Sequence, residues 1–247
     1  MNAVDLLSAP MSAPEQRECA AHGPYPSRQI GQHWTGCPTC FREALGRLRE
    51  QAHRELVAQQ RADRAQALLA TAGIPPRFEA RRLEEFAAAG QKAGRWLDRA
   101  ASGDPGALAI MGPVGTGKTA LSCALVRAAC ERGVVARYCR TVDLRDRTRA
   151  AWDGSGSEAN AMAWFTAPRI LVVDEIGLGG ATASDVERLH AMLDRRYMDA
   201  VPTVIVTNLD SDGIRAAIGE RARDRLRDGA TTIRLLGESR REPRGAA

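Results

Sequence analysis

Apolar positions follow two different rhythms along this chain. From Phe41 to about Ala70 there is no proline and a single glycine, and the residues are mostly the helix formers Ala, Leu, Arg, Glu and Gln. Phe41, Leu45, Leu48, Ala52 and Leu56 recur at spacings of three and four, which predicts one long helix with a narrow apolar stripe. At ~1.5 Å per residue it would run roughly 45 Å. Its remaining faces are charged, as expected of a helix that projects or packs against a partner. Gly73-Ile74-Pro75-Pro76 ends it, because proline removes a donor and restricts the residue before it. A further helix is expected over Glu84–Ala101. Beyond it, short apolar runs (Ala107–Met111, Val134–Tyr138, Ile170–Val173, Thr203–Thr207, Thr231–Leu236) alternate with helical stretches (Lys118–Arg132, Val142–Trp152, Ser184–Met198, Ile214–Arg227). That alternation predicts an α/β domain with a five-stranded parallel sheet covered by helices.

Composition changes this picture little. The 247 residues suit one large domain with a small appendage, and 44% hydrophobic with 26% charged residues is ordinary for a chain that buries a core. No apolar stretch approaches ~18 residues, which excludes a membrane-spanning helix. MNAVDLLSAP lacks the basic start and apolar run of an export signal, so a cytoplasmic protein is expected. A formal charge of +5 permits a nucleic-acid partner without requiring one.

Cysteine placement is more informative. Cys123, Cys130 and Cys139 lie singly in apolar patterns, and Cys123 and Cys130, seven apart on one helix, read as small core residues. Cys19-x-x-His22 and Cys37-x-x-Cys40 are two ligand pairs on tight spacing, each suited to a turn that aims both ligands at one ion. Four protein ligands leave no open position, so the site should be structural and the ion Zn²⁺. His33 is the competing ligand, with poorer spacing than His22. Tyr25, Arg28, Gln29, Gln32, His33 and Trp34 in the intervening loop suit single-stranded nucleic acid or a protein partner. Residues 1–18 are small and polar and are expected to be disordered.

Gly112-Pro113-Val114-Gly115-Thr116-Gly117-Lys118-Thr119 fits G-x-x-x-x-G-K-[ST], with a strand before it and a helix from Lys118 through Ala120 onward. Glycines let successive N–H groups turn toward phosphate oxygens, and the helix adds the positive end of its dipole. Lys118 is placed for the β- and γ-phosphates of ATP, and the Thr119 hydroxyl for Mg²⁺. Ile170-Leu-Val-Val-Asp174-Glu175 is an apolar strand ending in two carboxylates. Asp174 is placed to hold Mg²⁺ and Glu175 to accept a proton from the attacking water. Asn208, after the Thr203–Thr207 strand, either positions that water or touches the γ-phosphate, or is a turn residue. Arg221, Arg223, Arg225 and Arg227 alternate along one helix. They form either a solvated face or a source of one arginine for a neighbouring subunit's ATP. Trp152 and Trp164 flank a DGSGS stretch and either stack on bases or pack in the core.

The C-x-x-H…C-x-x-C module, the long helix, GIPPRF (73–78), GPVGTGKT (112–119), ILVVDEIG (170–177), VTNLD (206–210) and GERARDRLRDG (219–229) together resemble the DnaC-type replicative helicase loaders, prophage branch, and more distantly the IstB transposition helper ATPases. The resemblance implies an AAA+ ATPase that is lidless or nearly so, occupying residues 73–241, with a zinc module at 19–41, a helical linker at 42–72 and a tail at 242–247. It implies self-association through ATP sites, single-stranded DNA binding and delivery of a replicative hexameric helicase. By motif position it makes Asn208 sensor 1, Arg225 the arginine finger with Arg221 close behind, and Arg241 sensor 2 through GESRR (237–241). It also implies DNA contacts from Arg145, Arg147 and Arg149 within about Val142–Phe165. The IstB branch would have the same ATP chemistry but a transposase partner.

Overall fold

The structure, a computed structural model, describes residues 11–151, 157–177 and 182–237. Trp152, most of the DGSGS stretch, Arg241 and the 242–247 tail lie outside the described residues. The chain divides into two compact units, Met1–Gln60 and Arg61–Ala247.

In the first unit β1 (Glu15–Cys19) pairs antiparallel with β2 (Gly23–Ser27), and β3 (Gln29–Ile30) pairs with β4 (His33–Trp34). The Ser12 N–H donates to Gln29 O at 3.1 Å and Met11 bridges Ile30. Residues 11–18, expected without structure, are therefore held by backbone pairing that their polar composition does not reveal. Only Ser27 and Cys37 are buried among the described residues of this unit. Helix α1 (Pro38–Ala70) starts on a proline, which suits the first helical position, and buries no residue. It crosses the unit boundary. Its last part belongs with the second unit, where Leu68 and Leu69 pack against the core.

In the second unit, 3₁₀ turns at Pro76–Phe78 and Leu83–Phe86 precede α2 (Ala87–Ala101). The helix expected from Glu84 starts later because the chain turns back on itself; a Cβ at Gly90 would lie 1.9 Å from Leu83 O. There follow β5 (Leu108–Met111), α3 (Lys118–Glu131), β6 (Ala136–Arg140), α4 (Thr141–Ala150), α5 (Glu158–Thr166), β7 (Ile170–Asp174), α6 (Ala183–Met198), β8 (Thr203–Thr207), α7 (Ser211–Arg227) and β9 (Thr231–Arg234). The five strands β5–β9 are parallel, in the order β6-β7-β8-β5-β9. Every residue of β7 and β8 is buried, as a strand covered on both faces requires. Alternation sorts them: Ile170 and Val172 join Trp96, Leu97, Leu121 and Leu125 on one face, while Leu171 and Val173 join Phe165, Leu189, Met192 and Ile218 on the other.

Strand β6 lies two residues later than its apolar run suggests. Val134 closes α3 instead, donating its N–H to Ala129 O at 2.9 Å. Helix α5 has weak periodicity and was not expected as a separate element. Ser157 caps it by accepting the Asn160 N–H at 3.1 Å.

Arg196 is fully buried on α6, and its guanidinium ties together the segments entering β7 and β8. It donates to Thr203 Oγ1 at 2.9 Å, Phe165 O at 3.1 Å, Pro168 O at 2.9 Å and Pro202 O at 2.6 Å. Burial pulls its pKa down to about 10, so it remains a cation at neutral pH. Arg196→Met strands these carbonyls without donors. Chemical denaturation should show a loss of ~3–5 kcal/mol, because several buried acceptors lose their donor at ~1–3 kcal/mol each.

Candidate nucleotide site and metal centre

The carboxyl ends of β5, β7 and β8 meet at one edge of the sheet, where a parallel α/β fold leaves room for a ligand. The loop between β5 and α3 lies there. Gly112 takes φ +151° and a Cβ on it would come 2.3 Å from Leu235 O, so no side chain fits. Gly117 adopts φ +94° as the N-cap of α3, turning the chain into the helix. The Lys118 Nζ donates to Gly112 O at 2.8 Å and Pro113 O at 2.7 Å, and the Thr116 hydroxyl to Pro113 O at 2.9 Å.

The loop and the acidic strand touch through one carboxylate. Thr119 Oγ1 donates to Asp174 Oδ2 at 2.7 Å, Tyr138 donates its phenol to the same oxygen at 2.9 Å, and the Glu175 N–H donates to Oδ1 at 2.7 Å. Asp174 is 3% exposed. Glu175 adopts φ +63°, a strained conformation for a residue with a side chain, as occurs where a chain is held for function. Val114, Gly115, Gly117, Lys118, Thr119, Ala120, Asp174, Glu175 and Asn208 line one cleft of about 420 Å³. Gly112, Pro113 and Thr116 shape the loop behind it.

Arg77, Phe78, Arg81, Glu85 and Phe86 line the same cleft, a role that the sequence reading does not give them. Arg81 pairs with Glu85 at 2.8 Å and holds that carboxyl below its usual range. In the sequence, Gly73–Pro76 reads as a helix stop and GIPPRF (73–78) as part of the family resemblance, and neither assigns Arg77 or Phe78 to the cleft.

The four alternating arginines of α7, Arg221, Arg223, Arg225 and Arg227, differ in their surroundings. The helix kinks at Gly219 (φ +75°, ψ +162°). Beyond the kink Arg225 is ion-paired with Asp194 and lies 5.3 Å from the Tyr197 ring. It lines a second cavity with Ala107 and Thr203, at the amino ends of β5 and β8. Arg221 is exposed. Strands of this length separate the two edges by ~15 Å. Within one chain, Arg225 and the phosphate loop therefore do not meet.

Trp164 packs edge-on to Phe165 at 4.8 Å, and the guanidinium groups of Arg137 and Arg147 lie 4.8 and 4.0 Å from its ring centre. Of its two readings, packing describes it. Arg145 pairs with Asp146 at 3.1 Å, and Arg149 is exposed. Burial pushes the Cys123 thiol up to about 12, and Cys130 is likewise raised, in keeping with inert core residues.

In the first unit Cys19, His22, Cys37 and Cys40 offer ligand atoms that all lie within 4.8 Å of one another. Cys40 Sγ is 3.3 Å from His22 Nδ1 and 3.5 Å from Cys19 Sγ, and Cys37 Sγ is 3.8 Å from His22 Nδ1. Metal–ligand bonds of ~2.0–2.3 Å in a tetrahedron put ligands ~3.6–3.8 Å apart, so this set can hold a metal ion. The Ala21 backbone, His22 and Cys40 draw the Cys19 thiol down to about 6, while hydrogen bonding to Cys19 pushes Cys40 up to about 11. His22 turns Nε2 to Glu43 Oε1 at 3.1 Å, the outer partner a ligating imidazole needs. Glu43 sits three residues after Cys40 on the same helix, a spacing the sequence displayed but did not flag. His33 is outside the cluster.

Residues 44–243 match the model of the family described as IstB-like ATP binding protein. The chain is 30% identical over 194 residues to the insertion sequence IS1162 putative ATP-binding protein of Pseudomonas fluorescens, covering 75% of this chain and 80% of that one. It is 29% identical over 119 residues to the replicative helicase loader DnaC of Escherichia coli K12, covering 48% and 49%. It spans about half the length of several curated relatives that it matches, among them the Escherichia coli protein YdaV at 28% identity and 48% coverage. Among solved structures, the DnaC helicase loader superposes with a TM-score of 0.57 at 17% identity, over 66% of this chain and all of that one. The initiator DnaA bound to AMPPCP and single-stranded DNA gives 0.57 at 16%, over 67% and 51%. At these identities the likeness concerns the fold, which is that of the AAA+ proteins. Among the described residues no helix is long and apolar enough to cross a membrane. By the match over residues 44–243 and the identity to the IS1162 relative, the chain belongs to the IstB-like ATP-binding protein family.

Proposed function

We propose that this chain is an ATPase that loads a replicative hexameric helicase onto single-stranded DNA. The observation carrying the ATPase part is the Thr119–Asp174 hydrogen bond, which joins the phosphate loop to the acidic strand beside Lys118, Glu175 and Asn208 in one cleft. Gly112–Ala120 would enclose the triphosphate, and Lys118 would offset charge on the β- and γ-phosphates. Thr119 and Asp174 would hold Mg²⁺, which supplies further charge neutralisation. Glu175 accepts the proton of the attacking water and Asn208 orients that water. Arg225 acts on the ATP of another copy, and Arg241 follows as a nucleotide contact. Zn²⁺ held by Cys19, His22, Cys37 and Cys40 folds the first unit, which docks the helicase.

The loader reading rests on the metal module preceding a DnaC-like fold. A second reading, an IstB-like transposition helper, is favoured by the family match over residues 44–243 and by the 80% coverage of the IS1162 relative. Co-purification in ATP and Mg²⁺ with a hexameric helicase or with a transposase separates them. Lys118→Ala should lower ATP affinity ~10–100-fold, the loss of a charged hydrogen-bond donor, and abolish capture of the true partner. Capture of the transposase alone overturns the loader reading. Unchanged nucleotide binding in Lys118→Ala overturns the assignment of the cleft.

A further inference from the structure

Tyr138 belongs to none of the nucleotide motifs, yet its phenol reaches Asp174, one of the residues that line the cleft. It stands on β6, beside Asp174's strand in the sheet, and is 4% exposed. Asp174 Oδ2 takes both the Tyr138 hydroxyl at 2.9 Å and the Thr119 hydroxyl at 2.7 Å, and Oδ1 takes the Glu175 N–H at 2.7 Å. A carboxylate has about four acceptor directions, so three are filled and its rotation is blocked. A phenol keeps its proton across the working pH range and so remains a hydrogen-bond donor.

The backbone of Tyr138 is fixed as well. Its N–H donates to Ala72 O at 2.7 Å, and Gly73, at φ +72°, sits so close that a Cβ there would come 2.6 Å from Tyr138 O. The segment leaving α1 thus buttresses β6 behind the phenol. Phenylalanine would pack equally well in this core, so the oxygen has a role that packing does not supply.

We propose that Tyr138 is a positioning residue that aims the Asp174 carboxylate at the divalent cation accompanying the nucleotide. This rests on the reading of the cleft as an Mg²⁺–nucleotide site. Without the phenol the carboxylate gains an acceptor direction and a torsional freedom that cation binding must then restrict. The nucleotide itself touches the loop and not Tyr138, so its cation-free affinity stays the same.

The test is Tyr138→Phe in the full chain, read by calorimetric titration of Mg²⁺ into protein saturated with a non-hydrolysable ATP analogue. Analogue affinity in EDTA and the melting curve are measured alongside. The expected result is a 3- to 10-fold weaker Mg²⁺ affinity, unchanged analogue affinity in EDTA and a melt within a few degrees of the parent's. In an Asp174→Asn background the same substitution should have no further effect on Mg²⁺. Equal Mg²⁺ affinities in parent and variant overturn the proposal. So does an equal loss of affinity in EDTA, which makes Tyr138 a core residue only, and so does an undiminished effect in the Asp174→Asn background. If the parent itself binds the analogue equally with and without Mg²⁺, it is the underlying reading of the cleft that fails.

Discussion

Arg225→Ala is expected to bind ATP and Mg²⁺ with parental affinity and to hydrolyse ATP ~10³–10⁵-fold more slowly. The expectation follows from where α7 puts this side chain. Gly219 breaks the helix, and the segment beyond it carries Arg225 to the amino edge of the sheet, against Asp194 and Tyr197. The proposed phosphate-binding residues occupy the carboxyl edge. On the proposed reading a charge on Arg225 can act only on the nucleotide of another copy, so affinity in the isolated chain is untouched while turnover in the assembly collapses. Mixing supplies the decisive measurement. Arg225→Ala subunits keep an intact cleft, and Glu175→Gln subunits keep an intact arginine. Each alone is inactive, but together they form junctions with every group present, so the mixture should recover part of the parental rate. Phosphate release from the two variants, separate and mixed, reads this directly. Full turnover by Arg225→Ala alone removes the assignment. An Arg221→Ala variant with the lost rate and the complementation would transfer the role to Arg221, which is exposed four residues earlier.

What the sequence made legible shares one property: the signal is local. The phosphate loop is eight consecutive residues, and β7 and β8 are unbroken apolar runs because both faces of a central strand are covered. The Cys/His pairs were legible for the same reason, since each is a single turn. The missed features depend on pairings across the chain. Tyr138 reads as one more apolar strand residue until β6 is known to lie beside β7. Arg81 reads as a connection and Phe86 as part of the expected Glu84–Ala101 helix until the turns before α2 bring them to the cleft. The Gly219 kink was invisible because a glycine within good helix formers signals only weaker helix, not which way the chain turns. Strands β1 and β2 carry Pro, Gly and charge instead of alternating apolar residues, so their pairing had no hydrophobic signature.

That absence of apolar pattern leads to the second large effect, removal of the metal. A chelator added to the full chain should unfold residues 11–40 and leave the proposed nucleotide site working. Among the described residues of the first unit only Ser27 and Cys37 are buried, so apolar burial contributes almost nothing there. The β3–β4 pair is two residues long, and isolated two-stranded pairs are marginal at best. A structural Zn²⁺ site is worth ~10–16 kcal/mol in a small module, far more than these strands provide. Residues 61–237 carry their own two apolar cores and should not respond. Limited proteolysis should therefore show rapid cutting within 11–40 after chelation, reversed by added Zn²⁺, with nucleotide affinity unchanged. Elemental analysis should give one zinc per chain. Glu43→Gln weakens the imidazole's outer hydrogen bond and should lower metal affinity ~10–100-fold. Acid acts in the same direction as the chelator. The metal-bound cluster holds fewer protons than the free one, so stability of this unit falls as pH falls and thiols and imidazole protonate. Under the loader reading, helicase capture disappears with the metal while ATP binding persists. A proteolysis pattern indifferent to chelation and zinc would mean that backbone pairing alone holds these hairpins, and the metal centre would then have no structural role.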